Sequence, residues 1–121
     1  MDDFDKARML EELAKIRENF LLRMRGQLPL LHGLLERIRA GDTSALVPLQ
    51  LLAHRIHGSG ATFDFAAVSA SAGQVEDLLG VLIGISAASD IEPQDWRPLL
   101  ERGERFALAI GAATVQGTGV D

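Results

Sequence analysis

The sequence has no cysteine and no tyrosine, one tryptophan and five phenylalanines in 121 residues. Without cysteine, disulfides and thiolate metal sites are excluded. Aromatic and β-branched residues, which favour strands, are sparse. Leucine and alanine are abundant, so the balance favours helices. A cationic excess is lacking too: the formal net charge is −5, the wrong sign for nucleic-acid binding, which needs a basic stripe. No apolar run approaches the roughly 20 residues of a membrane span. The longest, near Val81, Leu82 and Ile83, is interrupted by Gly84 and Ser86. The opening Met1-Asp2-Asp3-Phe4-Asp5 is acidic and lacks the apolar segment of a signal peptide, so the expected location is the cytoplasm. No glycine-rich loop ending in Lys-Ser/Thr and no kinase-type glycine box occurs, so autophosphorylation from ATP is not expected.

What remains is a globular sequence, 47% hydrophobic, of a size suited to one domain with its own core. Apolar residues at Leu13, Ile16, Phe20, Met24, Leu28, Leu31, Leu35 and Ile38 step by three or four, which marks one helical face. Pro29 falls inside this run and either kinks one helix or marks a break between two; a kink is the preferred expectation, since the period continues past it. Gly41, after Arg37 and Arg39, is a stop signal. Asp42, Thr43 and Ser44 offer caps for a second helix, with Pro48 near its first turn. A third helix spans Phe65 to about Ile85, with Asp64 as its candidate cap. A connection containing Asp90 and Pro93 leads to a last helix opening at Gln94 or Asp95, with Trp96, Leu99, Leu100, Phe106, Leu108 and Ile110 as its apolar set. The pattern predicts an all-α fold: an antiparallel four-helix bundle with an additional short N-terminal helix. Residues 1–112 form the single domain. Residues 113–121, rich in small side chains after Gly111, are expected to be a flexible tail.

The helix through His54 is the informative one. At about 100° per residue, Leu49, Leu52, Ala53, Ile56, Gly60 and Phe63 fall on one side, a core stripe. Val47, Gln50, Leu51, His54, His57, Gly58 and Ala61 fall on the other, with His54 near its middle. A solvated helix face normally carries Lys and Glu. Apolar residues around an imidazole instead suggest a surface where another protein docks. The alternative is that Val47 and Leu51 lie beneath the N-terminal helix. Gly58 costs the helix roughly 1 kcal/mol relative to Ala, and its missing side chain would let a partner approach the His54 ring.

The run His54-Arg55-Ile56-His57-Gly58-Ser59 resembles the signature of histidine-containing phosphotransfer (HPt) domains: His, any residue, an apolar residue, usually Lys or Arg, Gly, then Ser or Ala. Ala61-Thr62-Phe63-Asp64-Phe65 and Val75-Glu76-Asp77-Leu78-Leu79 are similar to the family as well, so the likeness extends from Leu28 to about Leu82. The resemblance implies that His54 accepts a phosphoryl group from a receiver-domain aspartyl phosphate and passes it to another receiver. It also implies that His57 can hydrogen-bond the phosphoryl oxygens, that Gly58 gives access, and that Ser59 packs between helices. His57 stands where the family usually has Lys, and an imidazole is only partly charged near neutral pH. Asp64 stands where relatives often have Gly.

The implied partners are response-regulator receiver domains, with a hybrid histidine kinase as a further candidate. Val47, Gln50, Leu51, Arg55, Ala61 and Gln74 would form the docking face. No resident cofactor is implied, since Mg²⁺ belongs to the receiver. The chain would be a monomeric phosphoryl carrier with no kinase activity of its own, engaging neither nucleic acid nor membrane. A neutral imidazole is a competent nucleophile, and phosphoryl transfer asks mainly for positioning and charge stabilisation. The second reading is a helical interaction module that binds a receiver or kinase through the same face without transfer. Metal binding by His54 and His57 with His32 as third ligand is a weaker alternative. Glu76 and Asp77, adjacent on a helix, point apart and suggest no hydrolase acid pair.

Overall fold

A computed structural model describes residues 2–88 and 96–117. Five helices are described: α1 (Asp3–Gly26), α2 (Leu28–Arg39), α3 (Leu46–Thr62), α4 (Ala66–Ala88) and α5 (Arg97–Gly117), with a 3-10 turn at Thr43–Ala45 leading into α3. No strand occurs among the described residues. α2 packs on α3, α3 on α4, α4 on α5, and α5 back on α2. This ring encloses Leu31, Leu49, Val75, Leu79, Leu99 and Phe106, all fully buried. The all-α four-helix arrangement is therefore as the periodicity predicts.

The two helix stops before and after α3 use the same device. At the end of α2, the Asp42 amide reaches the Arg37 carbonyl (2.9 Å) and the Gly41 amide that of Ile38 (2.9 Å). After α3, the Phe65 amide reaches the Gly60 carbonyl (2.7 Å) and the Asp64 amide that of Ala61 (3.3 Å). Both are Schellman closures, which place one residue in the left-handed region. Gly41 takes it at φ 89°, and Asp64 at φ 69°. Asp64 therefore ends α3. The expectation that it caps α4 is corrected, because its backbone is committed to the preceding helix.

The N-terminal helix differs from expectation in two ways. It is 24 residues long, not short, and Gln27 alone separates it from α2. Pro29 lies in the first turn of α2, where a missing N–H breaks no helical bond. The expected kink is thus a break between two helices. Only Phe20, Leu21 and Met24 of α1 are buried, while Leu13 and Ile16 are 53% and 44% exposed. The reason is the way α1 docks. Its Phe20 ring meets those of Phe63 and Phe65 at the α3–α4 turn, with centroids 5.1 and 5.5 Å apart. Arg17 lies over Phe65, 4.2 Å from the ring centre, and donates to the Phe63 carbonyl at 3.2 Å. Residues 3–19 of α1 are all exposed, so the periodic stripe outruns the part of the helix that is buried.

Three further expectations are adjusted. α4 does contain an apolar run of membrane-spanning length, Ala66–Gly84, with mean hydropathy 1.3. Its Val68, Ala72, Val75, Leu79 and Leu82 are buried in the bundle, so burial between α3 and α5 accounts for that character. Leu108, a member of the last helix's apolar set, is 72% exposed and borders a groove between α2 and α5 with Leu28 and His32. α5 continues through Gly111 to Gly117, since Ala112 and Ala113 are good helix formers. The connection around Asp90 and Pro93, the helix start at Gln94 or Asp95, and residues 118–121 lie outside the described residues.

Two stability predictions follow from this packing. Leu49→Ala should cost about 2–5 kcal/mol, whereas Leu13→Ala should stay within about 0.5 kcal/mol of wild type; urea unfolding of the two variants measures the contrast. Asp64→Gly should stabilise by up to about 1 kcal/mol by relieving a left-handed residue, and Asp64→Val should destabilise, read from the same melts.

Candidate functional site

α3 and α4 form a close antiparallel hairpin. At Gly60 a Cβ would stand 3.3 Å from the backbone nitrogen and Cβ of Ser69, so the absence of a side chain lets the helices approach there. Ser69 Oγ donates to the His57 carbonyl (2.8 Å). This register brings positions equidistant from the turn together. His54 and Glu76 each lie eleven residues from Phe65, and they meet.

His54 is the most exposed member of the site, its side chain 74% accessible. Its Nδ1 is hydrogen-bonded to Glu76 Oε2. The other oxygen of the same carboxylate, Oε1, lies 3.2 Å from Nδ1 of His57. One carboxylate thus bridges two imidazoles from successive turns of α3. An ionised carboxylate only accepts, so both Nδ1 atoms carry protons and donate to it. In the neutral rings this assigns the lone pair to Nε2. On His54, Nε2 is on the ring edge away from the Glu76 contact, in a side chain that is 74% accessible.

The electrostatics agree with an ionised bridge. Burial pushes the Glu76 carboxyl up, but hydrogen bonds from His57 and His54, with the attraction of either imidazole when it is protonated, outweigh it and hold it below its ordinary value.

The remaining predicted residues fall around this centre. Val47 and Leu51 are each about half exposed, at 52% and 51%, which removes the alternative of burial beneath α1. Arg55, Ala61 and Gln74 are exposed and Gln50 is half-buried. Arg55 and Ser59 border a cleft between α1 and α3, and the Gln74 carbonyl accepts from Arg102 (3.0 Å). Gly58 is exposed, and a Cβ there would meet nothing within 4 Å. Among the described residues no packing requires glycine at that position. His32 lies in the groove between α2 and α5 and does not join the two histidines. Among the described residues no group of three His, Cys, Asp or Glu is arranged to hold a metal.

A family model, the Hpt domain, matches residues 8–113. The chain belongs to the Hpt family. No curated protein and no solved structure matches it. Hpt domains are phosphoryl carriers, and membership implies phosphotransfer within a phosphorelay. The matched span contains α3 and α4 entire up to Ala88, and so the whole His54–Glu76–His57 cluster.

Glu76 is the residue that sequence reasoning missed. Beside Asp77 it reads as an ordinary acidic pair on a helix surface. The available signal was the turn: a tight connection at Phe63–Phe65 sets the hairpin register, and counting outward pairs His54 with Glu76.

Because the Glu76 carboxyl is held below its ordinary value of 4.5, the bridge stabilises the fold fully above that value. The contribution is lost as pH falls through the lowered folded value. The urea midpoint of wild type should therefore drop further between pH 6 and pH 3 than that of Glu76→Gln. Equal drops would show that the bridge contributes nothing.

Proposed function

We propose that His54 is the phosphoacceptor of this Hpt domain and shuttles a phosphoryl group between the aspartates of receiver domains. The observation that carries this reading is the orientation of the ring. It is held from behind by Glu76 through Nδ1–H, which leaves the Nε2 edge of a 74% accessible side chain beside the half-exposed Val47 and Leu51.

In the proposed step the Nε2 lone pair of His54 attacks the phosphorus of an aspartyl phosphate. The P–Nε2 bond forms, the bond from phosphorus to the aspartyl oxygen breaks, and the aspartate leaves as a carboxylate. No proton has to be removed from the nucleophile. The imidazole gains positive character as the bond forms, and the Glu76 carboxylate behind Nδ1–H stabilises it. The onward step is the reverse, with the carboxylate of a second receiver attacking phosphorus and Nε2 leaving. The charge on the phosphoryl oxygens is met by the receiver, whose acidic pocket holds Mg²⁺. The bundle needs only to present the ring in a fixed orientation.

The docking face in this reading is the half-exposed pair Val47 and Leu51 with Gln50, Arg55, Ala61 and Gln74 around His54. Gly58 leaves room for the receiver's own active-site rim. The partners fitting such a face are response-regulator receivers, including the receiver of a hybrid histidine kinase.

The test is transfer of label from phosphorylated receivers of the same genome to wild type and to His54→Gln. Wild type should acquire an acid-labile, alkali-stable label, and His54→Gln should acquire none while still binding the receiver. Label persisting on His54→Gln would move the acceptor elsewhere. Binding without label on wild type would favour an interaction module.

A further inference from the structure

His57 belongs to the outward half of α3, yet its ring is turned towards α4. A Cβ built on Gly73 would stand 3.2 Å from His57 Nε2 and 3.3 Å from its Cε1. The ring edge that carries Nε2 therefore lies against bare backbone of α4. The opposite nitrogen, Nδ1, is taken by Glu76 Oε1. The His57 carbonyl is held by Ser69 Oγ. Ser69, Gly73 and Glu76 occupy successive turns of α4, and together they fix both backbone and ring of His57. Nδ1 is thus engaged by Glu76 and Nε2 lies against Gly73, the contacts of a ring held in place and not of a phosphoryl ligand.

We propose that His57 is a positioning residue for phosphotransfer. Seated in the slot that Gly73 leaves open, it anchors one oxygen of Glu76 so that the other holds His54 in its Nδ1–H form, and it does not bind the phosphoryl group. The inference rests on His54 being the phosphoacceptor. A glutamate side chain has three rotatable bonds, and a carboxylate tethered at one oxygen loses less freedom when the other engages a second donor. Partners behind a reactive imidazole commonly fix its tautomer and ring orientation in this way. Gly73 becomes the determinant of the arrangement. Any side chain there crowds the His57 ring, although alanine is the better helix former.

The experiment reads the His54 tautomer directly, by long-range proton–nitrogen correlation on the full ¹⁵N-labelled chain under mildly alkaline conditions. Initial rates of label transfer from a phosphorylated receiver are measured in parallel. Wild type should show His54 mainly as the Nδ1–H tautomer. Gly73→Ala and His57→Leu should each move His54 towards the Nε2–H form and slow transfer by about threefold to tenfold, with helical circular dichroism retained. His57→Asn, whose amide N–H falls close to the position of Nδ1–H, should recover most of the wild-type tautomer ratio.

The proposal is overturned if His54 keeps the wild-type ratio in both Gly73→Ala and His57→Leu while Glu76→Gln changes it, since Glu76 then acts alone. It is also overturned if either variant slows transfer with the tautomer unmoved, as expected of a phosphoryl ligand. The tautomer is measured without a receiver. A wild type that takes no label therefore counts against the phosphoacceptor reading and leaves the coupling to be decided by the spectra.

Discussion

The close approach of α3 and α4 is the constraint on which the site depends. Two backbones can lie this near only where side chains are small or absent, and Gly60 and Gly73 supply those places on opposite helices. Gly60 admits Ser69, and Gly73 admits the ring of His57. With the spacing set, Glu76 spans the gap with a short reach and engages both imidazoles. A larger separation would leave its carboxylate in solvent, where exposed ion pairs contribute little. Gly58, the glycine next to His57 in sequence, answers to a different requirement, because among the described residues nothing competes for its space.

Much of this was readable in the sequence, and the unread parts share a cause. The three-to-four period located the helices of the bundle, and the wheel through His54 correctly divided α3 into core and outer faces. Within one helix, spacing determines direction. What lies between helices is not written in a single period. Glu76 looked like an unremarkable surface acid because its partner sits on another helix, and only the hairpin register joins them. His57 was placed on the outer face by angle alone, yet its ring leans across to a glycine that a wheel for α3 does not contain. Leu13 and Ile16 fail in the opposite sense. Their period is as regular as that of Leu31 and Leu35, but periodicity does not say where the partner surface ends. Leu108 is a similar case on α5.

The site divides its charges in a useful way. The negative carboxylate lies behind the ring, on the side opposite the expected bond to phosphorus, where it favours a developing imidazolium without facing an incoming anion. The front sets the half-exposed Val47 and Leu51, with polar Gln50, Arg55 and Gln74 around them, beside an exposed ring. Excluding water from that front strengthens the electrostatic interactions inside the contact.

The uneven docking of α1 has a consequence for how the molecule opens. Phe20, Leu21 and Met24 tie the second half of this helix to the core, so its amides are released only with the whole bundle. The first half has no such tie, and a free helix of about that length is marginal in water. One continuous helix therefore spans two cooperative units. Its first turns should fray and reform on their own, with Arg17 over Phe65 marking the boundary beyond which local opening becomes global unfolding.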